Sequence, residues 1–152
     1  MKGIPVVPIL FFLLFCTPTL VDSATPVYST SFEQIKLAAE QGDTEAQNTL
    51  AGLYSSGRGV EQDHKAALKW YKLAAKQGHD LAMYNLGDMY ARGQGVTQDN
   101  IRAHMWWSLS VSQRFYEGAN ERDKIEMTMV PSQVEKAKKL AQECVAKNFQ
   151  DC

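Results

Sequence analysis

Histidines are too few and too scattered to build a reactive centre: His64, His79 and His104 are the three in the chain, and no two lie four residues apart. Two imidazoles need that spacing to share one helical face, and neither His-Glu-x-x-His nor Cys-x-x-Cys occurs. Ser-x-x-Lys, Gly-x-Ser-x-Gly and a phosphate-cradling glycine loop are missing as well. No catalytic residue, metal ligand or cofactor is therefore expected. Long runs of one charge are also lacking. The net charge is -1 with acids and bases interspersed, so nothing resembles a row of cations that could neutralise phosphates, and nucleic acid is not an expected partner. What remains, 45% hydrophobic and 22% charged residues, is the balance of an ordinary globular domain and excludes disordered and collagen-like classes.

The first residues depart from that balance. Lys2 precedes an apolar run from Ile4 to Leu14, and the small residues Ser23 and Ala24 follow Val21. This order predicts a signal peptide over residues 1–23, cleaved near Ser23 or Ala24, then a flexible linker over 24–30. The competing reading is an uncleaved membrane helix, but Pro5, Pro8 and Pro18 interrupt a stretch that would only just reach the roughly 20 residues a span needs. A lipid attachment at Cys16 is disfavoured by bulky Phe15 before it. Export to the periplasm or the exterior is expected, with the membrane met only through the leader. Cleavage would leave Cys144 and Cys152, a pair expected to form a disulfide in an oxidising compartment, the alternative being two free thiols on a fraying tail.

Self-similarity organises the rest. Gln41-Gly42 aligns with Gln77-Gly78, and the register then holds without a gap at a period of 36 residues. Ala46, Leu50 and Tyr54 align with Ala82, Leu86 and Tyr90. Gly57-x-Gly59-Val60 aligns with Gly93-x-Gly95-Val96, Gln62-Asp63 with Gln98-Asp99, and Ala67, Trp70 and Leu73 with Ala103, Trp106 and Leu109. Upstream, Lys36-Leu37-Ala38-Ala39 copies Lys72-Leu73-Ala74-Ala75, so Ser31 to Gln41 reads as the second half of a degenerate earlier unit.

Each unit reads as two helices. Ala46, Leu50, Leu53 and Tyr54 form one apolar stripe, with Asp43 as N-cap and Gly57 as the stop, since a helix commonly ends on a left-handed residue. In the second helix Asp63 is the cap and Ala67, Trp70, Tyr71 and Ala74 form the stripe. Gly57-Arg58-Gly59 and Gly93-Gln94-Gly95 recur at the period, which marks them as turns. Trp70-Tyr71 and Trp106-Trp107 recur likewise, and packing accounts for them better than a ligand cage does.

This series of residues resembles the Sel-1-like repeat, a relative of the tetratricopeptide repeat. The resemblance implies an all-α fold, a right-handed α/α solenoid of stacked antiparallel helix pairs. Its domain covers 31–152, with repeats at about 43–78 and 79–115 and a C-terminal cap over 118–152. The second unit departs at Arg102, His104 and Trp107, where the first has Ala66, Leu68 and Tyr71. In the cap, Gly118 to Met127 reads as a short helix and Pro131 to Lys147 as a longer one. Its apolar stripe is Val134, Ala137, Leu140, Ala141 and Cys144, and a Cys144–Cys152 bond would staple its end.

In stacked pairs of this type the first helices line the concave surface. The arc opposite Ala46 carries Glu45, Asn48, Gly52 and Ser55 in the first unit, but Leu81, Tyr84, Asp88 and Ala91 in the second. A docked protein or peptide would find an aromatic anchor in Tyr84, apolar contact in Leu81, and polar contacts in Asn48, Asp88 and Arg92. The alternative is that Leu81 and Tyr84 only pack against adjacent first helices. The resemblance thus implies a non-enzymatic interaction scaffold, with a monomer expected but the oligomeric state left open. Rival expectations are a secreted β-lactam-binding or -hydrolysing protein, as in cysteine-rich relatives, and a cell-envelope chaperone or regulator of a cell-wall enzyme.

Overall fold

The computed structural model describes residues 27–150 and Cys152, and the leader expected over residues 1–23 lies outside them. Every regular element among the described residues is a helix: α1 (Val27–Glu40), α2 (Thr44–Ser56), α3 (His64–Lys76), α4 (Asp80–Arg92), α5 (Asn100–Ser112), α6 (Glu117–Glu126) and α7 (Pro131–Ala146). The 36-residue period is visible directly, because α2 and α4 begin at aligned residues, as do α3 and α5. Helix α2 packs along α3 and α4 along α5, while α3 joins the two pairs and α5 also receives α6 and α7. The fold is an α/α solenoid. One boundary differs from expectation: α1 begins at Val27, within the linker expected over 24–30. Val-Tyr-Ser-Thr-Ser has little helix preference alone, but extending a helix already nucleated over 31–40 needs little from each added residue.

The caps follow from the sequence. The Asp43 carboxylate accepts from the Ala46 N–H at 2.7 Å, and Asp63 accepts from Lys65 and Ala66. Gly57 and Gly93 end α2 and α4 in the left-handed region, at φ 70° and 67°. The aligned Gln-Asp pairs also find a reason. Gln62 donates to the Ser55 carbonyl and Gln98 to that of Ala91, so each amide closes the turn between its two helices. Where the first repeat caps with Asp43, the second uses His79, whose Nδ1 accepts from the Ala82 N–H while Nε2 reaches Glu45 at 3.0 Å.

The core runs through both pairs, from Ala51, Ala67 and Tyr71 to Leu86, Tyr90 and Trp107. Trp106 is buried but its aligned partner Trp70 is only half-buried. The difference lies in the C-terminal tail, since Phe149 and Cys152 line a cavity together with Trp106. A second compensation is local. Where the first repeat has Ala51 and Tyr71 in its core, the second has Gly87 and Trp107 at the aligned positions, and a Cβ on Gly87 would stand 2.5 Å from the indole.

The cap forms as α6 and α7, with Pro131 opening α7 and Val134, Ala137 and Cys144 buried from it. Glu135, Lys136, Lys138 and Lys139 stay exposed. Cys144 and Cys152 are disulfide-bonded, so the tail folds back: Gln150 donates to the Lys76 carbonyl at 3.1 Å and the Phe149 ring lies against Gly78. Cys152→Ser is expected to lower the unfolding free energy by about 2 kcal/mol, because the loop released is short. Chemical denaturation with and without reductant checks this. An unchanged midpoint would mean that Phe149 and Gln150 alone hold the tail.

Candidate protein-interaction surface

Helix α4 carries four of the five expected contact residues along one face. Tyr84 and Asp88 sit one turn apart, and Arg92, one turn further, meets Asp88 with Nη2–Oδ2 at 3.3 Å. Arg92 remains largely exposed, whereas the Asp88 side chain keeps only 25% of its accessible area. Leu81, one turn before Tyr84, is half-buried. Asn48 is withdrawn: it retains 8% of its surface, and its buried Oδ1 has no hydrogen-bond partner among the described residues. It occupies the arc position of Tyr84, but its side chain is too short to emerge past the neighbouring helices.

Other elements complete the surface. The Tyr84 ring packs on Phe115 with centroids 5.2 Å apart and planes tilted by 54°. From α6, Glu121 and Lys124 form a 2.7 Å pair whose charges both act on Tyr84. From beneath, Tyr71 places its hydroxyl 3.7 Å from where a Cβ on Gly52 would stand, within electrostatic reach of Asp88. The Trp107 indole N–H also approaches Asp88 closely enough to favour its charge, without closing a hydrogen bond of ordinary geometry. Phe115, Glu121 and Tyr71 escape a sequence reading of α4 because they belong to three other segments. Their only trace there is that Tyr84 and Asp88 break the repeat.

The electrostatics are those of a carboxylate held at a disadvantage. Burial pushes Asp88 above the ordinary carboxylate range and Glu121 adds to the push, while Arg92 and Trp107 oppose it. Burial, then Asp88, raises the Tyr71 phenol to about 12, and the same two causes, in that order, raise Tyr84. Because the folded pKa of Asp88 is raised, the stability tied to this group is complete below its ordinary value of 3.8 and is lost as pH rises through the folded value. Asp88→Asn is therefore expected to leave the fold as stable at neutral pH or slightly more so, by less than about 1 kcal/mol. The gain should vanish in acid. Thermal melts across a pH series check this, and a large loss at neutral pH would make Asp88 a structural residue.

The remaining polar groups secure the fold. His104 is fully buried, with Nε2 at 2.8 Å from Glu126 Oε2, and its Nδ1 faces the Ser108 hydroxyl at 3.4 Å. This contact ties α5 to α6, and the hydrogen bond with His104, aided by Lys138, holds the Glu126 carboxyl below its usual range. Among the described residues no three His, Cys, Asp or Glu side chains converge as a metal site, and no helix is long and apolar enough to cross a membrane.

Comparison with known proteins gives this geometry a setting. The family model described as Sel1 repeat matches residues 44–79 and 80–114. No curated protein matches the chain. Among solved structures, the chain is similar to c5321, a protective antigen present in uropathogenic Escherichia coli strains displaying an SLR fold. The identity is 27% and the TM-score 0.76, over 80% of this chain and 27% of that one. It is also similar to a Sel1 repeat protein from Oxalobacter formigenes, at 29% identity and a TM-score of 0.59, over 62% of this chain and 39% of the other. The chain thus spans well under half the length of either.

Proposed function

Since the chain is a Sel1-like repeat protein, and such repeats are protein–protein interaction modules, we propose that it is an exported adaptor that holds a partner protein's segment on the first-helix face of α4. The observation that carries this reading is the half-buried Asp88 between Tyr71, Tyr84 and Trp107, a carboxylate kept where folding disfavours its charge. A group that costs stability and stays accessible suits recognition better than packing. Tyr84 on Phe115 supplies a preorganised aromatic anchor, and Arg92 on the rim supplies an exposed charge. The leader expected over residues 1–23, and a disulfide suited to an oxidising compartment, support export.

The test is site-specific photocrosslinking in the native cell. A photoreactive phenylalanine analogue at Tyr84 should give a discrete product, and the same label at exposed Lys139 on the cap should not. Asp88→Asn and Arg92→Ala, made alongside it, should each weaken that product. Equal labelling from both positions would overturn the reading. The β-lactamase alternative requires nitrocefin turnover, and none above the buffer rate is expected.

A further inference from the structure

The two repeats carry the same depression with opposite charge. In the first repeat a hollow of about 460 Å³ is lined by Tyr54, Glu61, Gln62 and Asp63. One period later the aligned hollow, about 390 Å³, is lined by Tyr90, Thr97, Gln98 and Asp99, with Lys72 and Arg102 added. The hollow itself belongs to the repeat, since it lies where the turn glycines lead into the capping aspartate. Its charge is particular to each unit: Glu61 becomes Thr97, and Ala66 becomes Arg102.

The cations of the second hollow are arranged. Lys72 Nζ lies 5.8 Å from the Tyr90 ring centroid, and the Arg102 guanidinium carbon lies 5.7 Å from it. The ring is nearly fully buried and therefore fixed. Its electron-rich ring attracts each of the two cations. Arg102 is oriented further by Asp99, at 3.5 Å, and by a main-chain oxygen of Cys152, the last residue, which accepts from Nη1 at 3.4 Å. Among the described residues Lys72 has no carboxylate partner.

We propose that this Lys72–Tyr90–Arg102 hollow is a second docking site, one that takes a carboxylate side chain from an acidic segment of a protein partner. Charge complementarity selects an anion. The Asp99 carboxylate within the lining favours a singly charged group over a phosphate dianion, and the hollow opens broadly to solvent, so a free small acid would gain little there. A peptide adds contacts beyond the hollow. The site lies on the second-helix side of the pairs and is independent of Tyr84 and Asp88.

Titration of the full chain with acetyl-tetraglutamate amide, followed by amide NMR at low salt, tests the proposal. Saturable shifts should centre on Lys72, Tyr90 and Arg102, and acetyl-tetraglutamine amide should give none. Arg102→Ala, which restores the first repeat's residue, and Lys72→Gln should each weaken binding by roughly fivefold to tenfold. Glu61→Thr with Ala66→Arg should create a saturable response around Tyr54, weaker than the native one because that lining has no counterpart of Lys72, while leaving the second hollow intact, so this arm stands even if Arg102→Ala disturbs the fold. Unsaturable or scattered shifts, binding indifferent to Arg102→Ala in a folded variant, or inorganic phosphate binding as tightly as the peptide would each overturn it.

Discussion

Gly95→Ala is expected to destabilise the protein by roughly 3 kcal/mol, whereas Gly59→Ala, at the aligned position of the same motif, should cost only about 1 kcal/mol. Both glycines are in the left-handed region, at φ 76° for Gly59 and 69° for Gly95, so an added Cβ imposes the same backbone penalty on each. Their surroundings differ. Among the described residues a Cβ at Gly59 would meet nothing within 4 Å, but at Gly95 it would run into the His64 carbonyl oxygen, with the carbonyl carbon at 2.6 Å and the Lys65 nitrogen at 3.0 Å. These are backbone atoms at the start of α3, and they cannot swing aside as a side chain can. The second turn is thus seated directly on the first repeat's second helix. Urea denaturation of both variants, followed by far-ultraviolet circular dichroism, measures the difference. Equal losses would show that the close approach does not set the spacing between repeats.

This pair also marks how far the sequence is legible. Periodicity reports what a unit does within itself, and there it is sufficient: the caps Asp43 and Asp63, the stops at Gly57 and Gly93, and the buried alanines all follow from one alignment. What a unit does to its neighbour is invisible to it. Gly59 and Gly95 are the same letter in the same motif, yet among the described residues only Gly95 meets another repeat. The same limit applies to the candidate surface. Leu81, Tyr84, Asp88 and Arg92 stand out because they share one helix and break the pattern, while Asn48 occupies the same arc but is closed over. Phe115, Glu121 and Tyr71 reach the surface from separate segments, and no spacing rule on α4 connects them. Trp70 and Trp106 differ in burial for a related reason, because the tail that lines the cavity beside Trp106 lies outside the repeat altogether.

Trp107→Ala is expected to cost about 3–5 kcal/mol, as removal of a large buried ring does, but a double-mutant cycle with Gly87 is more informative. Gly87→Ala alone gains up to about 1 kcal/mol of helix propensity. Against that, its Cβ would lie 2.5 Å from Trp107 Cδ1 and Nε1, so overpacking should leave a net loss of about 1–2 kcal/mol. Trp107→Tyr alone should also destabilise, by leaving space beside Gly87. Combining Gly87→Ala with Trp107→Tyr rebuilds the Ala51–Tyr71 pair of the first repeat. The double variant should therefore be more stable than the sum of the single losses by about 1–2 kcal/mol, and strict additivity in denaturant titrations would refute the compensation. The consequence reaches the surface. Gly52 in the first repeat becomes Asp88 in the second, beside Gly87 and under the approach of the Trp107 indole N–H, which favours the Asp88 charge. Trp107→Tyr should then push Asp88 further above the ordinary carboxylate range, which carboxylate NMR titration would detect. If Asp88 titrates unchanged, the core exchange and the surface carboxylate are separate events. If it shifts, the glycine that admits the larger ring also sustains the charge proposed to meet the partner.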